Sequence, residues 1–162
     1  MRKQIIIAFG LVWGMLTITS ACSTDDDSTD NTNDPTVQIA EVETTVSSGT
    51  WRITNYNDSG EDETSDFNGY AFSFNSDGSL VATNGTITYT GTWAVVEDDD
   101  SDDDSPDDND IDFVISFPVD DDNDFEDLND DWDIESYTDT TINLIDISGG
   151  NGGTDILVFE RN

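Results

Sequence analysis

The chain has 162 residues, and 38 acidic residues against four basic ones give a formal charge of −34, with no histidine at all. That balance excludes ordinary nucleic-acid binding, which neutralises phosphates with Lys and Arg, and it opposes adsorption to anionic lipid. A single cysteine also excludes an internal disulfide framework.

The chain opens on Arg2 and Lys3, runs through the apolar stretch IIIAFGLVWGML and reaches small polar residues just before Cys22. A positive start, a short apolar run and a small-residue end predict a secretory signal peptide over 1–21. The run is too short, and too quickly followed by charge, to span a bilayer. Losing it removes Arg2 and Lys3 and moves the charge from −34 to −36, leaving Arg52 and Arg161 as the only basic residues. The motif TSAC (19–22) resembles the lipobox of bacterial lipoproteins, with Ser20 and Ala21 as its small residues. The resemblance implies that Cys22 is lipidated, with palmitate-like acyl chains, and becomes the mature N-terminus. Each buried methylene contributes about 0.8 kcal/mol, so two or three chains hold durably where one would exchange.

Residues 22–46 are rich in Ser, Thr, Asp and Asn and poor in large apolar residues. Such a segment buries too little surface to fold by itself, and it is expected to be a disordered acidic tether. Its early STDDDS resembles the acidic signal that sends lipoproteins of Bacteroidota to the outer face of the outer membrane. Asp25, Asp26 and Asp27 are then an export signal; as a solvated spacer they would look the same.

From residue 47 the chain alternates short apolar–polar segments with Gly, Asn, Asp and Ser clusters, an all-β pattern. Eight strands are predicted, at 51–56, 69–75, 79–83, 86–96, 111–117, 132–137, 141–147 and 155–161. Tyr70, Phe72 and Phe74 share one face; so do Ile87, Tyr89, Gly91, Trp93 and Val95, and so do Ile111, Phe113, Ile115 and Phe117. Consecutive antiparallel strands with one buried face protect their edges most simply by closing. One domain over 47–162 is therefore expected to be an eight-stranded up-and-down antiparallel β-barrel, with a two-sheet β-sandwich as the alternative.

GTW at 49–51, opening the first strand, resembles the G-x-W start of lipocalin-like domains, and Arg161 at the end of the last strand resembles the arginine that packs on that tryptophan. First and last strands of such a barrel pair antiparallel, so Trp51 and Arg161 would meet at one end, with a cation–π contact of about 0.5–2 kcal/mol. With the lipobox, the chain resembles the lipocalin-like lipoproteins of Bacteroidota. The resemblance implies a fold and an outer-membrane, surface-facing location rather than an activity.

For catalysis, the mature chain offers no His, Lys or free thiol to build a nucleophilic triad. Carboxylate pairs could in principle hydrolyse glycosides, but among 38 acids no pair stands out, and no enzyme is expected. The acidic runs at 97–112 and 120–133 invite Ca²⁺, which takes six to eight oxygen ligands. Neither run follows the EF-hand pattern. Asp120, Asp122, Asp124, Asp130 and Asp131 are weak candidates for loosely bound Ca²⁺, and solubilising loops are the plainer reading. Phe125 and Leu128, three apart in the second run, predict a helical turn docked on the barrel.

Two functions follow. One is a small neutral or cationic hydrophobic ligand held in the barrel, with Tyr70, Phe72, Phe74, Tyr89, Trp93, Phe113, Phe117 and Trp132 lining a cavity; an eight-stranded interior is, however, only just wide enough for side chains or one small ligand. The other is a structural or interaction module whose acidic loops engage Ca²⁺ or a cationic partner. Self-repulsion favours a monomer, tied to the membrane by its lipid.

Overall fold

A computed structural model describes residues 34–97, 111–147 and 153–162. The signal segment, Cys22 and Asp25, Asp26 and Asp27 lie outside the described residues, as does most of the first acidic run. The strands are β1 (Trp51–Asp58), β2 (Glu61–Asp62), β3 (Ala71–Phe74), β4 (Ser79–Thr83), β5 (Thr88–Glu97), β6 (Ile111–Ser116), β7 (Asp130–Tyr137), β8 (Thr141–Ile147) and β9 (Thr154–Arg161). All pairings are antiparallel and sequential, and β9 returns to β1 from Trp51↔Arg161 to Asn57↔Ile156. The sheet is thus a closed eight-stranded up-and-down barrel, with β2 a two-residue return on β1. Closure rules out the sandwich.

Burial alternates along the strands because inward side chains share one core. Phe72 and Phe74 on β3, Trp93 and Val95 on β5, and Ile111, Phe113 and Ile115 on β6 are all buried, and every phenylalanine after Phe9 is buried. Gly91 lies among them, and a side chain there would collide with the Ser116 carbonyl and the Phe117 ring, so the strand needs its smallest residue at this close approach. Ile87, expected on the same face, is instead 47 % exposed. The Asn84 carboxamide accepts the N–H groups of Thr86 and Ile87 at 3.0 and 2.8 Å, which holds Ile87 in the turn ahead of β5.

The tether expectation is corrected over its second half. Residues Pro35–Val46 form a helix, α1, with Asp34 as N-cap accepting the Thr36 N–H at 3.0 Å and Pro35 in the first turn. Val42 and Val46 are fully buried, with Ile39 packed on the core. Ile39, Val42 and Val46 are spaced i, i+3, i+7, one helical face, hidden in the sequence by Ala, Glu and Thr between them. A twelve-residue helix is marginal alone and is stabilised by what it packs on. The folded unit therefore includes residues 34–46.

α1 closes the barrel end where the chain enters and leaves. The Trp51 indole N–H donates to the Val46 carbonyl at 2.8 Å, and the Arg161 guanidinium donates to Ser48 Oγ at 3.0 Å and the Thr45 carbonyl at 3.1 Å. Its Cζ lies 4.7 Å from the Trp51 ring centroid. Replacing Val42 or Val46 with Ala should cost about 1–3 kcal/mol each through lost burial and cavity formation. Urea unfolding followed by tryptophan fluorescence measures it; a cost below about 0.5 kcal/mol would mean a helix merely resting on the surface.

Candidate functional site

The opposite end, the mouth, is the end at which β1, β4, β6 and β8 finish. Three consecutive turns carry the β6–β7 connection across it, with Asn123, Glu126 and Asn129 each donating to the carbonyl three residues earlier. Phe125 and Leu128 do dock on the barrel, at 2 % and 0 % exposure, but on turns rather than a helix. The Asn129 side chain clamps the base of this segment by bonding both the N–H and the carbonyl of Phe117. Trp132 Nε1 donates to the Leu128 carbonyl at 3.2 Å, and the Tyr56 hydroxyl donates to the Asp127 carbonyl at 2.8 Å.

Phe125 is the centre of the mouth. Its ring centroid lies 5.4 Å from Phe67, 4.9 Å from Tyr70, 6.0 Å from Phe72, 4.2 Å from Tyr89 and 5.1 Å from Phe117. Edge-on and offset geometries of this kind contribute about 0.5–1.5 kcal/mol per pair beyond burial. Phe67 arrives from a 3-10 turn, Thr64–Phe67, fixed by Thr64 Oγ1 accepting the Tyr56 N–H at 2.8 Å.

Deeper in the barrel, Phe74 meets Trp93, Phe113 and Phe159 at 5.4 Å each, and Trp132 meets Tyr56 at 6.4 Å. The eight side chains expected to line a cavity are thus packed on rings, with Phe72, Phe74, Trp93, Phe113, Phe117 and Trp132 buried and Tyr70 and Tyr89 half-buried at the rim. Sequence reasoning missed Tyr56, Phe67 and the hub role of Phe125. The i, i+3 spacing of Phe125 and Leu128 was the available signal for the last. Outside the barrel, α1 and Tyr137 form an open groove of about 600 Å³ that includes Val37, Ala40 and Glu41. It brings one carboxylate and one phenol together, 3.5 Å apart.

Carboxylates crowd the rim. Asp127 is held above the ordinary carboxylate range by partial burial first, then by Glu126, Asp58, Asp124 and Asp66. Burial likewise pushes Tyr56 upward, with Asp58 and Asp127 adding to it. Among the described residues no three acidic side chains converge on a point that could hold a metal ion, so Asp120, Asp122, Asp124, Asp130 and Asp131 do not form one ligand set. Asp130 and Asp131 are sequence neighbours on β7, and an Asp130 oxygen accepts the Asp131 N–H at 2.9 Å. Among the described residues, Arg52 and Arg161 sit at the closed end, Arg52 in an exposed 2.8 Å pair with Glu160 that contributes little.

Burial, helped by the adjoining Asp131 and by Asp146, raises the Asp130 carboxyl to about 6. Between about pH 4 and 6 the folded chain keeps a proton that the unfolded chain releases, so stability falls as the pH rises through that window. For a half-exposed group, solvent screening reduces the effect to on the order of 1 kcal/mol. Asp130→Asn should therefore melt about 4 °C higher than the parent at pH 7.5, the gain closing by about pH 4. Thermal melts across that range check it, and a gain that did not depend on pH would contradict it.

No protein-family profile matches this chain, and no curated protein matches it. Among solved structures, the crystal structure of a DUF4847 family protein from Bacteroides vulgatus is similar, at 19 % identity and a TM-score of 0.46, over 75 % of this chain and 97 % of that one.

Proposed function

We propose that the chain is an outer-membrane lipoprotein of the Bacteroidota type, anchored through Cys22 and turned to the cell surface by Asp25, Asp26 and Asp27. Its lipocalin-like barrel binds a small neutral or cationic hydrophobic molecule and performs no catalysis. The anchor rests on the signal-peptide layout and the TSAC motif. The observation that carries the binding reading is the unequal closure of the two barrel ends. At one end a core helix and Trp51 are tied into the strands; at the other a segment of turns inserts a single ring, Phe125, among five others. The acidic mouth, with Arg52 and Arg161 at the far end, disfavours fatty acids and other anions.

A second reading has its own observation. The interior rings touch one another, which suits a filled scaffold whose acidic loops engage Ca²⁺ or a cationic partner.

A screen of apolar dyes and ligands against the mature chain, read by tryptophan fluorescence, separates the two. Displaceable binding of neutral or cationic compounds is expected; no displaceable ligand, with a thermal midpoint raised by millimolar Ca²⁺, would establish the second reading. For the anchor, Cys22→Ala should abolish incorporation of labelled fatty acid in growing cells, and label persisting in that variant would refute lipidation at Cys22.

A further inference from the structure

The geometry points to Phe125 as a gate side chain that occupies a binding site of the mouth: a cup walled by Phe67, Tyr70, Phe72, Tyr89 and Phe117, suited to a flat aromatic group or an alkylammonium carrying positive charge. This site rests on the ligand-binding reading and gives it a place and a ligand class.

Three observations converge. First, the five wall rings surround Phe125 at centroid distances from 4.2 to 6.0 Å; four come from outside its own segment, on the 3-10 turn, the approach to β3, β3 and β5, and the fifth, Phe117, is fixed at the base of the segment by the Asn129 clamp. The wall is built by the barrel, its fixed turns and the clamped base of the β6–β7 connection, and the occupant comes from the middle of that connection. Second, that connection is made of turns whose backbone hydrogen bonds are local, and it is joined to the rest by few bonds: the Asn129 clamp on Phe117, the Tyr56 hydroxyl on the Asp127 carbonyl, the Trp132 indole on the Leu128 carbonyl, and a 3.3 Å bond from Asn123 to the Tyr89 hydroxyl. Residues 117 and 129 form its base, so the segment can swing about the clamp while both strands keep their ladders. Third, the segment carries Asp120, Asp121, Asp122, Asp124, Glu126 and Asp127, and Asp127 feels Asp58 and Asp66 across the mouth. Burial of Phe125 and Leu128 pulls the segment in, while like charge pushes it away.

A ligand that replaces the Phe125 ring must recover those ring contacts, and one that is also cationic removes part of the repulsion. Aromatic faces attract cations, most strongly where the site is desolvated. An anion of the same shape meets the rim carboxylates.

The test uses the full mature chain with Cys22→Ser, to keep it in solution, as parent and with Phe125→Ala or Phe125→Leu added. Three probes are titrated by calorimetry: benzyltrimethylammonium, its neutral carbon counterpart neopentylbenzene, and phenylacetate. Vacating the cup should tighten benzyltrimethylammonium at least tenfold in Phe125→Ala relative to the parent, with Phe125→Leu intermediate, and should give phenylacetate no gain. Melting curves confirm that each variant folds, and Phe125→Leu carries the test if Phe125→Ala does not. A parent that binds a probe as tightly as the folded variants places the ligand elsewhere and overturns the gate alone. An equal gain for phenylacetate overturns the cationic preference, and absence of binding by either variant overturns the site, while a positive dye screen would still uphold binding in the barrel.

Discussion

An antiparallel sheet of eight strands escapes an exposed edge only if its last strand finds its first, and in this chain the rest of the structure depends on that meeting of β9 with β1. The pairing starts at Trp51↔Arg161, where the indole is held on two sides at once. Its N–H is bonded to the end of α1, and its face lies under the guanidinium that also bonds Thr45 and Ser48. One arginine thus links the helix, the first strand and the last. The opposite edge of β1 shows why this matters: β1 meets β3 at Trp51↔Phe72 alone, and farther along its partners are the short β2 and the Thr64 side chain. Closure on the β3 side is thin, and the β9 side carries it.

Once the sheet is closed, the inward residues must fill it, and charge has nowhere to go but outward or to the ends. None of the described polar or charged residues is buried. Where carboxylates do approach the interior, at Asp127 and Asp130, burial raises them above their ordinary range, which is the physical sign of a charge kept near a low-dielectric edge. The two barrel ends answer this constraint differently. The closed end uses valines and backbone carbonyls and has Arg52 and Arg161 near it. The mouth covers its aromatics with a segment that carries more like charge.

How far the sequence disclosed this follows from the range of each interaction. Strand faces were legible because a period of two is local: Phe72 and Phe74, or Phe113 and Ile115, declare their side within a few residues. The closure was legible through Trp51 and Arg161 only because barrel topology forces the chain ends together. α1 was not, since three apolar residues at helical spacing in a Thr- and Glu-rich stretch bury too little surface alone and become a helix face only against a barrel that the local sequence does not show. Ile87 was misplaced for the opposite reason, a local turn held by Asn84 overriding the strand period. The mouth was half legible: Phe125 and Leu128 stood out of the acidic run, but Phe67, Tyr70 and Tyr89 reach them from three distant parts of the chain.

The acidity and the aromatic mouth then bear on one another. A formal charge of −34 repels a second copy and any anion over roughly a Debye length, about 8 Å at physiological salt, without help from particular residues. Such a field selects the sign of what arrives but not its shape. Shape can be read only where side chains converge from different strands, and in the described residues the convergence that is neither sealed by the core helix nor buried in the middle of the barrel is the ring cluster around Phe125. Like charge and converging rings therefore coincide at one end of the molecule, the end opposite α1.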